Sequence, residues 1–349
     1  MKTAVVILNW NTERYLRDFL PAVVASCPDD AEVIVADNGS TDGSLAYVSG
    51  AFPSVRTIPL DKNYGFTGGY NRALAQVDAE YYLLLNSDIE VAPGWLEPLV
   101  AYMDAHPECG ACGPKMHALV RSSRGGYERL DRFEYAGAAG GRIDRFGYPF
   151  CRGRVMQRVE DDLGQYDSPS GLLWVSGACL LTRASVWREL GGLDDRFFAH
   201  MEEIDYCWRA QLRGWTVAVV PESVVWHLGG GTLVPKSPWK LELNHCNNLL
   251  LMENNLPATV GRTRARLLIC FRQLLDVASA CVYLLSGRPQ DFRAVVRAHR
   301  GYRRLRKAGP VVAGGKADIK GYWPKNIILQ SLLRGGGIFR YLKRYEDSH

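Results

Sequence analysis

The stretch Ala4-Val5-Val6-Ile7-Leu8-Asn9-Trp10-Asn11 decides the fold. Its first five residues form a short continuous apolar run, which is typical of a strand covered on both faces. The polar residues 9–11 follow where that strand should end. Beyond them, apolar residues between Tyr15 and Val24 recur at helical spacing. The pattern therefore predicts a buried strand followed by a helix that packs on it.

The same alternation continues along the chain. It predicts strands at 32–36, 55–60, 81–85, 172–181 and 216–220, and helices at 69–77, 95–103, 184–190 and 203–213. Strands that alternate with helices favour an α/β fold with a doubly wound, mainly parallel sheet. Residues 120–170 are glycine-rich, charged and weakly periodic, so we expect a long excursion with short strands there.

Polar clusters follow three of the predicted strands. They are Asn9-Trp10-Asn11, Asp37-Asn38-Gly39-Ser40 and Asn86-Ser87-Asp88. In open α/β sheets, ligands bind beyond the carboxyl ends of the strands. Three polar clusters at three strand ends therefore indicate a ligand site at that edge.

Composition restricts the class of protein only loosely. The chain has 349 residues, 47% of them hydrophobic, and a formal net charge of +5, which does not by itself argue for nucleic acid. The nine cysteines have no framework spacing, and Cys109 and Cys112 form a lone C-x-x-C without the partners of a zinc site. We therefore expect packing roles for these cysteines and a reducing compartment.

The last third of the chain has a different composition. We place a boundary at 240, with a domain at 1–240 and a helical, basic extension at 241–349. Apolar helices are predicted at 249–252 and 267–285. The second contains Arg272, Gln273 and Asp276, so we expect no transmembrane helix. A basic helix follows, with eight lysines and arginines between Gly287 and Lys307; contact with an anionic membrane surface is expected there, against a solvated helix face or an RNA-binding patch as alternatives.

Two carboxylates at predicted strand ends are candidates for ligand chemistry. Asp88 can hold a divalent cation such as Mg²⁺ or Mn²⁺, which prefer oxygen ligands and retain waters and substrate phosphates; a helix cap is the plainer interpretation. Asp37 is placed to accept hydrogen bonds from a base or ribose. The loop Asn63–Asn71 has glycines that allow a ligand to approach the backbone. It contains neither the G-x-G-x-x-G fingerprint nor a P-loop.

An acidic cluster and a histidine complete the candidates. Glu202, Glu203 and Asp205 crowd three carboxylates into four positions, which is costly unless they are exposed or functional. One of them could be a general base, whereas acids that complement a helix dipole are the alternative. His227 precedes a glycine run, and a lone histidine is more often structural than a ligand.

These blocks, in this order, resemble family 2 glycosyltransferases of the GT-A fold, most closely the rhamnosyltransferase-like enzymes of bacterial surface-polysaccharide assembly, with galactofuranosyltransferases as relatives. The matching segments lie between residues 3 and 231. They are VVILNWN, ADNGSTDGS, NYGFTGGYN, LLLNSD, GACLLTRASVWRELGGLDDRFFAHMEEIDYCWR and WHLGG.

The resemblance implies roles for individual residues. Leu8, Asn9, Asn11 and Asp37 would line the nucleoside pocket, and Asn63, Gly69, Asn71 and Ser87 would border the nucleotide-sugar. Asp88 matches a metal-binding aspartate, although Asn86 replaces the first carboxylate of the family's D-x-D-type motif. His227 matches a histidine that completes the metal site in several members. Glu203 occupies the position of the catalytic base, which is usually Asp, and Glu202 is the reserve candidate.

The implied reaction is an inverting, metal-dependent transfer by single displacement. The expected donor is dTDP-rhamnose, then a UDP-sugar, and the expected acceptor is a glycan or lipid-linked hydroxyl at the cytoplasmic face of the membrane. A non-catalytic sugar-nucleotide or glycan-binding module is the alternative. A nucleotidyltransferase is disfavoured because no basic, glycine-rich loop follows the first strand, and an NAD oxidoreductase is disfavoured because its fingerprint is absent.

Overall fold

A nine-stranded mixed sheet with helices on its faces forms the first part of the molecule. The computed structural model describes residues 1–168, 170–229, 237–309 and 318–346. The first seven elements are β1 (Thr3–Asn9), α1 (Glu13–Ala25), β2 (Ala31–Asp37), α2 (Ser44–Ala51), β3 (Arg56–Pro59), α3 (Gly65–Leu74) and β4 (Tyr81–Asn86). β1 pairs in parallel with both β2 and β4. The predicted α/β fold is confirmed in this half.

The rest of the sheet is mixed. The elements that follow are β5 (Ile89–Val91), α4 (Glu97–Ala105), β6 (Cys109–Arg121), β7 (Tyr127–Phe133), β12 (Cys179–Arg183), α5 (Ala184–Leu190), α6 (Glu202–Leu212) and β13 (Thr216–His227). The strand order is β3-β2-β1-β4-β12-β6-β13-β5, with β7 beside β6. β12 runs antiparallel to β4 and β6, whereas β13 is parallel to β6.

The excursion at 120–170 contains the short strands that its composition predicts. They are β8 (Gly141–Asp144), β9 (Pro149–Cys151), β10 (Arg154–Val155) and β11 (Arg158–Val159), which form a second sheet. A strand near the C-terminus, β14 (Tyr322–Trp323), pairs in parallel with β8. The end of the chain therefore folds back onto the excursion.

Two predicted strands have different limits. The predicted strand 172–181 is wrong for residues 172–178, because only Cys179–Arg183 is a strand. The residues before it make isolated hydrogen bonds and do not pair with a neighbouring strand. The Leu173 N–H donates to Gly141 O, and the Gln211 amide donates to Leu172 O. The predicted strand 216–220 continues to His227, with an irregular register between Val220 and Val224. Pro221, which cannot donate to a ladder, disguises that continuity in the sequence.

Helices dominate the last third. They are α7 (Pro238–Val260), α8 (Arg262–Leu285), α9 (Pro289–Leu305), α10 (Ile327–Arg334) and α11 (Ile338–Glu346). α7 is far longer than the predicted 249–252, because its buried Asn247 and Asn255 bond to neighbouring segments and break the apolar pattern. Glu346 on α11 forms ion pairs with Arg142 and Arg152 in the excursion.

Helix α8 is the segment for which we expected no transmembrane helix. Within the described residues it is long and apolar enough to cross a membrane by length and composition, although core helices of soluble proteins pass the same test. Its two central charges, Arg272 and Asp276, are both buried, and the expected absence of a transmembrane helix stays a prediction. The remaining cysteine prediction is consistent with the structure: Cys109 and Cys112 are free thiols buried in β6.

Candidate active site

The parallel register of three strands brings the first polar residues together. Asn9 at the end of β1 lies opposite Asp37 at the end of β2, and Leu8 lies opposite Asn86 at the end of β4. The Asn9 amide donates to Asp37 Oδ1 at 2.7 Å and to Ser40 Oγ at 3.0 Å. The backbone N–H of Ser40 donates to the other carboxylate oxygen of Asp37. The Asp37 carboxylate is therefore fixed at the sheet edge.

A hydroxyl that sequence reasoning missed links the first and fourth strands. Thr12 Oγ1 donates to Asn9 Oδ1 and lies 3.0 Å from Ser87 Oγ. All three side chains are buried. A continuous polar chain therefore runs from Asp37 through Asn9 and Thr12 to Ser87, directly before Asp88.

Asn11 shapes the loop that follows β2. Its backbone has a positive φ of 53°, which asparagine tolerates better than most residues. Its Oδ1 accepts the backbone N–H of Thr41 at 2.7 Å and that of Asp42 at 3.3 Å. Asn11 therefore holds the 41–42 turn beside the end of β1.

The start of α3 forms the opposite wall. The Asn38 amide donates to Asn63 Oδ1 at 3.0 Å and to Gly65 O at 2.9 Å, so β2 and the loop before α3 are joined. At Gly69, an added Cβ would lie 2.8 Å from a Leu8 methyl and 3.0 Å from the Asn38 amide. Only glycine lets α3 approach the strand ends this closely.

Asn71 fastens this wall to a later loop. Its amide nitrogen donates to Leu193 O and to Asp195 Oδ1, both at 2.8 Å, and its oxygen accepts the N–H of Leu193 at 2.9 Å. The structure thus engages the Asn71 amide in joining α3 to residues 193–195.

The antiparallel pairing of β13 with β5 brings Asp88 and His227 together. His227 lies opposite Ile89, the residue after Asp88. The distance from His227 Nε2 to Asp88 Oδ1 is 3.3 Å, and both side chains are buried. Gly230, the last residue of the WHLGG segment, lies outside the described residues.

A second acid, Glu134, lies on the other side of the imidazole from Asp88. Its Oε1 is 3.5 Å from His227 Nδ1, within ion-pair distance but long for a hydrogen bond. Burial lowers the pKa of His227, but the charges of Asp88 and Glu134 outweigh burial and hold that pKa well above its usual range. Sequence reasoning missed Glu134 because it lies in the weakly patterned excursion.

The protein ligands available for a metal are few. Among residues 1–168, 170–229, 237–309 and 318–346, no group of three or more His, Cys, Asp and Glu side chains could hold an ion by itself. Asp88 and His227 nevertheless direct one carboxylate oxygen and one imidazole nitrogen at each other. This pair fits Mg²⁺ or Mn²⁺, since such ions are commonly held by one or two protein ligands together with waters and substrate phosphates.

The acidic pair Glu202 and Glu203 opens helix α6 after a strained turn. His200 and Met201 both have positive φ, 73° and 72°, a costly conformation that persists only where the surroundings enforce it. Asn247 of α7 enforces it by donating to the carbonyls of Ala199 and His200, each at 2.8 Å. This role of Asn247 carried no signal in the sequence.

Burial changes the acidity of both glutamates. It raises the pKa of Glu203 to about 7. Burial, and then the charge of Glu203, raise the pKa of Glu202 well above its usual range. One carboxylate oxygen of each side chain has no hydrogen-bond partner in the described part of the chain. Glu202 is only 4% exposed, whereas Glu203 is partly exposed, so Glu203 is the more accessible of the two side chains.

The third acid of the cluster is structural. Asp205 is fully buried and accepts hydrogen bonds from Arg209 at 2.6 Å, Asn254 at 2.8 Å and Asn255 at 2.9 Å. It therefore holds α7 against α6.

Glu203 lies near the same sheet edge as the other residues. A Cβ added at Gly177 would lie 3.3 Å from Glu203 Cβ. The next residue, Ala178, accepts the backbone N–H of Asn86, two residues before Asp88. The candidate base thus lies beside the loop that carries Asp88.

A comparison with family models and curated proteins gives consistent matches. A model described as Glycosyl transferase family 2 matches residues 4–169. The N-acetylglucosaminyl-diphospho-decaprenol L-rhamnosyltransferase of Mycobacterium tuberculosis is 30% identical over 239 residues, which are 64% of this chain and 75% of that protein. The O-antigen biosynthesis protein RfbC of Myxococcus xanthus is 27% identical over 199 residues, 56% of this chain and 15% of that protein.

Solved structures share the fold at low sequence identity. GalNAc-T7 with UDP, GalNAc and Mn²⁺ has a TM-score of 0.57 and 18% identity over 73% of this chain, which spans about half (48%) of that longer chain. TarS 1-349 of S. aureus in complex with UDP-GlcNAc has a TM-score of 0.54 and 15% identity, covering 88% of this chain and 91% of that one. The predicted GT-A architecture is thereby confirmed.

Proposed function

The chain belongs to glycosyltransferase family 2 and is a glycosyltransferase, and we propose that it transfers a sugar from a nucleoside-diphosphate donor to an acceptor hydroxyl with inversion at the anomeric carbon. The state of the Glu203 carboxylate carries this proposal. One of its oxygens has no hydrogen-bond partner among the described residues, its pKa is raised to about 7, and it lies beside the loop that carries Asp88. A general base is most effective when its pKa lies near the working pH.

In this mechanism, Glu203 accepts the proton of the acceptor hydroxyl. The acceptor oxygen forms a bond to the anomeric carbon while the bond from that carbon to the diphosphate oxygen breaks. The nucleoside diphosphate leaves from the opposite face, so a single displacement inverts the configuration. The protein forms no covalent bond to the sugar.

The remaining site residues position the donor. The Asn9–Asp37 pair is placed to orient the nucleoside, and the close packing of Gly69 on Leu8 and Asn38 holds the start of α3 beside it. Asp88 and His227 would hold a divalent cation. When bound, that cation supplies neutralising charge to the leaving diphosphate. Glu134, on the other side of the imidazole, would orient the ring, as acids next to metal-bound histidines commonly do.

The donor and acceptor are proposed from the relatives. The M. tuberculosis relative is named as a rhamnosyltransferase that acts on a lipid-diphosphate-linked acceptor. We therefore place dTDP-rhamnose first among donors and a UDP-sugar second, with a lipid-linked or glycan hydroxyl as acceptor. The proposed setting is surface-polysaccharide synthesis at the inner face of the cytoplasmic membrane, with peripheral contact through the basic C-terminal helices.

Donor binding and turnover test this function separately. Thermal unfolding is measured with a panel of nucleotide-sugars, with and without Mn²⁺, because a ligand that binds the native state raises stability by RT ln(1 + [L]/Kd). The best donor is then offered with acceptor to the wild type and to Glu203→Gln. We expect unchanged donor stabilisation and lost transfer in the variant. Donor binding without transfer by the wild type, over a panel of lipid-linked acceptors, would favour a non-catalytic binding module instead.

A further inference from the structure

The two charged residues in the middle of helix α8, Arg272 and Asp276, face inward. Arg272 Nε donates to Asp276 Oδ1 at 2.9 Å, and an Arg272 Nη atom donates to Phe146 O at 2.9 Å. Asp276 is also 3.0 Å from His245 of α7 and 3.3 Å from His299 of α9. These charges therefore form a buried network between the three helices.

The outward face of α8 is apolar from Leu267 to Leu285. Its exposed residues recur every three or four positions, and the most exposed large ones are Leu267 (67%), Leu274 (65%) and Leu285 (88%). The other exposed side chains of this stripe are Cys270, Phe271, Val277, Ala278, Cys281 and Val282. Soluble monomers rarely expose so long an apolar surface unless something binds it.

A second exposed apolar group lies near the first. Leu329, Leu332 and Leu333 of α10 are 51%, 74% and 69% exposed. Both helices contact the turn between β8 and β9: Phe146 packs on Phe271 of α8 at 5.0 Å between ring centroids, and Asp144 accepts the N–H of Ile327 at the start of α10. The two apolar groups therefore flank one turn.

Positive charge lies at one end of the α8 surface and on the adjacent helix α9. Residues 241–349 carry 19 lysines and arginines against 7 acids. Exposed arginines stand at the start of α8 (Arg262, Arg264, Arg266) and along α9 (Arg293, Arg300, Arg303). An apolar face bordered by basic side chains has the chemistry of a helix that lies in the headgroup region of an anionic bilayer.

We propose that α8 docks in the plane of an anionic lipid leaflet, with its apolar stripe immersed and the adjacent arginines on the headgroups. A path across the bilayer would expose Arg272 and Asp276 to lipid and break their buried network, which is costly. This inference deepens the membrane contact in the proposed function and names its surface. It places the lipid one helix from the candidate base, because Asn248 of α7 bonds to Arg272 while its neighbour Asn247 holds the turn before Glu202.

Vesicle binding of the full chain tests the proposal. The wild type is floated with vesicles of phosphatidylcholine alone and with vesicles containing equal parts phosphatidylglycerol. We expect binding to the anionic vesicles that weakens with salt. The double variant Leu274→Gln/Leu285→Gln should bind at least about tenfold more weakly, since each side chain loses its apolar burial in lipid. Leu163→Gln is the matched control, because Leu163 is 86% exposed in a loop of the excursion.

Native thiols give a second readout. Cys270 and Cys281 are the exposed cysteines of α8, and the other seven are buried or partly buried. Anionic vesicles should slow the reaction of these two thiols with a membrane-impermeant maleimide. Equal vesicle binding by the double variant, or unchanged labelling rates, would overturn the proposal. The proposal would also be overturned if the thiols were protected without vesicles and light scattering showed a dimer. That result would identify a second copy of the chain as the partner of this surface.

The outcome is separable from that of the proposed function. Transfer to a water-soluble acceptor analogue should be the same in the wild type and in the α8 double variant. If transfer fails in every protein while vesicle binding follows α8, only the catalytic proposal fails.

Discussion

Replacing Glu203 with glutamine should abolish transfer and, at the same time, stabilise the fold at alkaline pH. Burial raises the pKa of Glu203 from 4.5 to about 7, so the folded protein holds a proton there that the unfolded chain has already lost. Each tenfold change in proton affinity corresponds to about 1.4 kcal/mol. The ionised carboxylate therefore costs the fold at most about 3 kcal/mol, and less because the side chain is partly exposed.

The sign follows from proton binding. Between pH 4.5 and 7 the native state binds more protons than the unfolded state, so the contribution of Glu203 to stability is full at low pH and is lost as the pH rises through 7. Glutamine has nearly the same shape but does not titrate. The difference in unfolding free energy between Glu203→Gln and the wild type should therefore shift in favour of the variant by about 1–3 kcal/mol between pH 5 and pH 8.

Urea unfolding at a series of pH values measures this difference. Glu80→Gln is the matched control, because it makes the same chemical change at an exposed glutamate directly before β4. In the same variant we expect kcat to fall by about 10²–10⁴, and wild-type kcat should fall about tenfold for each pH unit below 7. A flat difference across the pH series would refute the burial argument, and near-normal turnover of Glu203→Gln would refute its role as base.

Four further predictions concern the rest of the site and helix α6. Chelation with EDTA should suppress transfer and Mn²⁺ should restore it; full activity in chelator would discard the metal. Glu134→Gln should weaken Mn²⁺ binding in the presence of nucleotide by about 10–100-fold, measured by electron paramagnetic resonance. Unchanged Mn²⁺ affinity would discard the positioning role of Glu134. Asp205→Ala should lower the unfolding free energy by about 3–5 kcal/mol because it leaves the buried Arg209 unpaired; a loss under 1 kcal/mol on urea unfolding would contradict this. Gly69→Ala should weaken donor binding in titration calorimetry, since the new methyl would displace the Leu8 and Asn38 side chains; wild-type affinity would show that this wall does not touch the donor.

Local patterns predicted the four strands β1 to β4 in the first half of the fold, but they missed α2 (Ser44–Ala51) and placed the start of α3 at 69 instead of Gly65. Continuous apolar runs specify strands that are covered on both faces, and parallel strands place the residues after them at one edge. For this reason Asn9, Asp37 and Asp88 could be grouped from the sequence. Where buried polar residues or a proline interrupt the pattern, as in α7 and β13, the predicted limits were too short.

What the sequence determined by itself was the set of chemical groups at the strand ends and the family resemblance of their order. Tertiary structure alone decided which acids are bound by neighbouring side chains and which are not. Asp205 accepts hydrogen bonds from Arg209 and from α7, whereas one carboxylate oxygen of Glu203 has no hydrogen-bond partner among the described residues. The tertiary structure also decided that Arg272 and Asp276 of α8 face inward whereas Leu267, Leu274 and Leu285 face outward. The physical reason is that proton affinity, metal geometry and exposure depend on neighbours that are distant in the chain, and no local pattern specifies those neighbours.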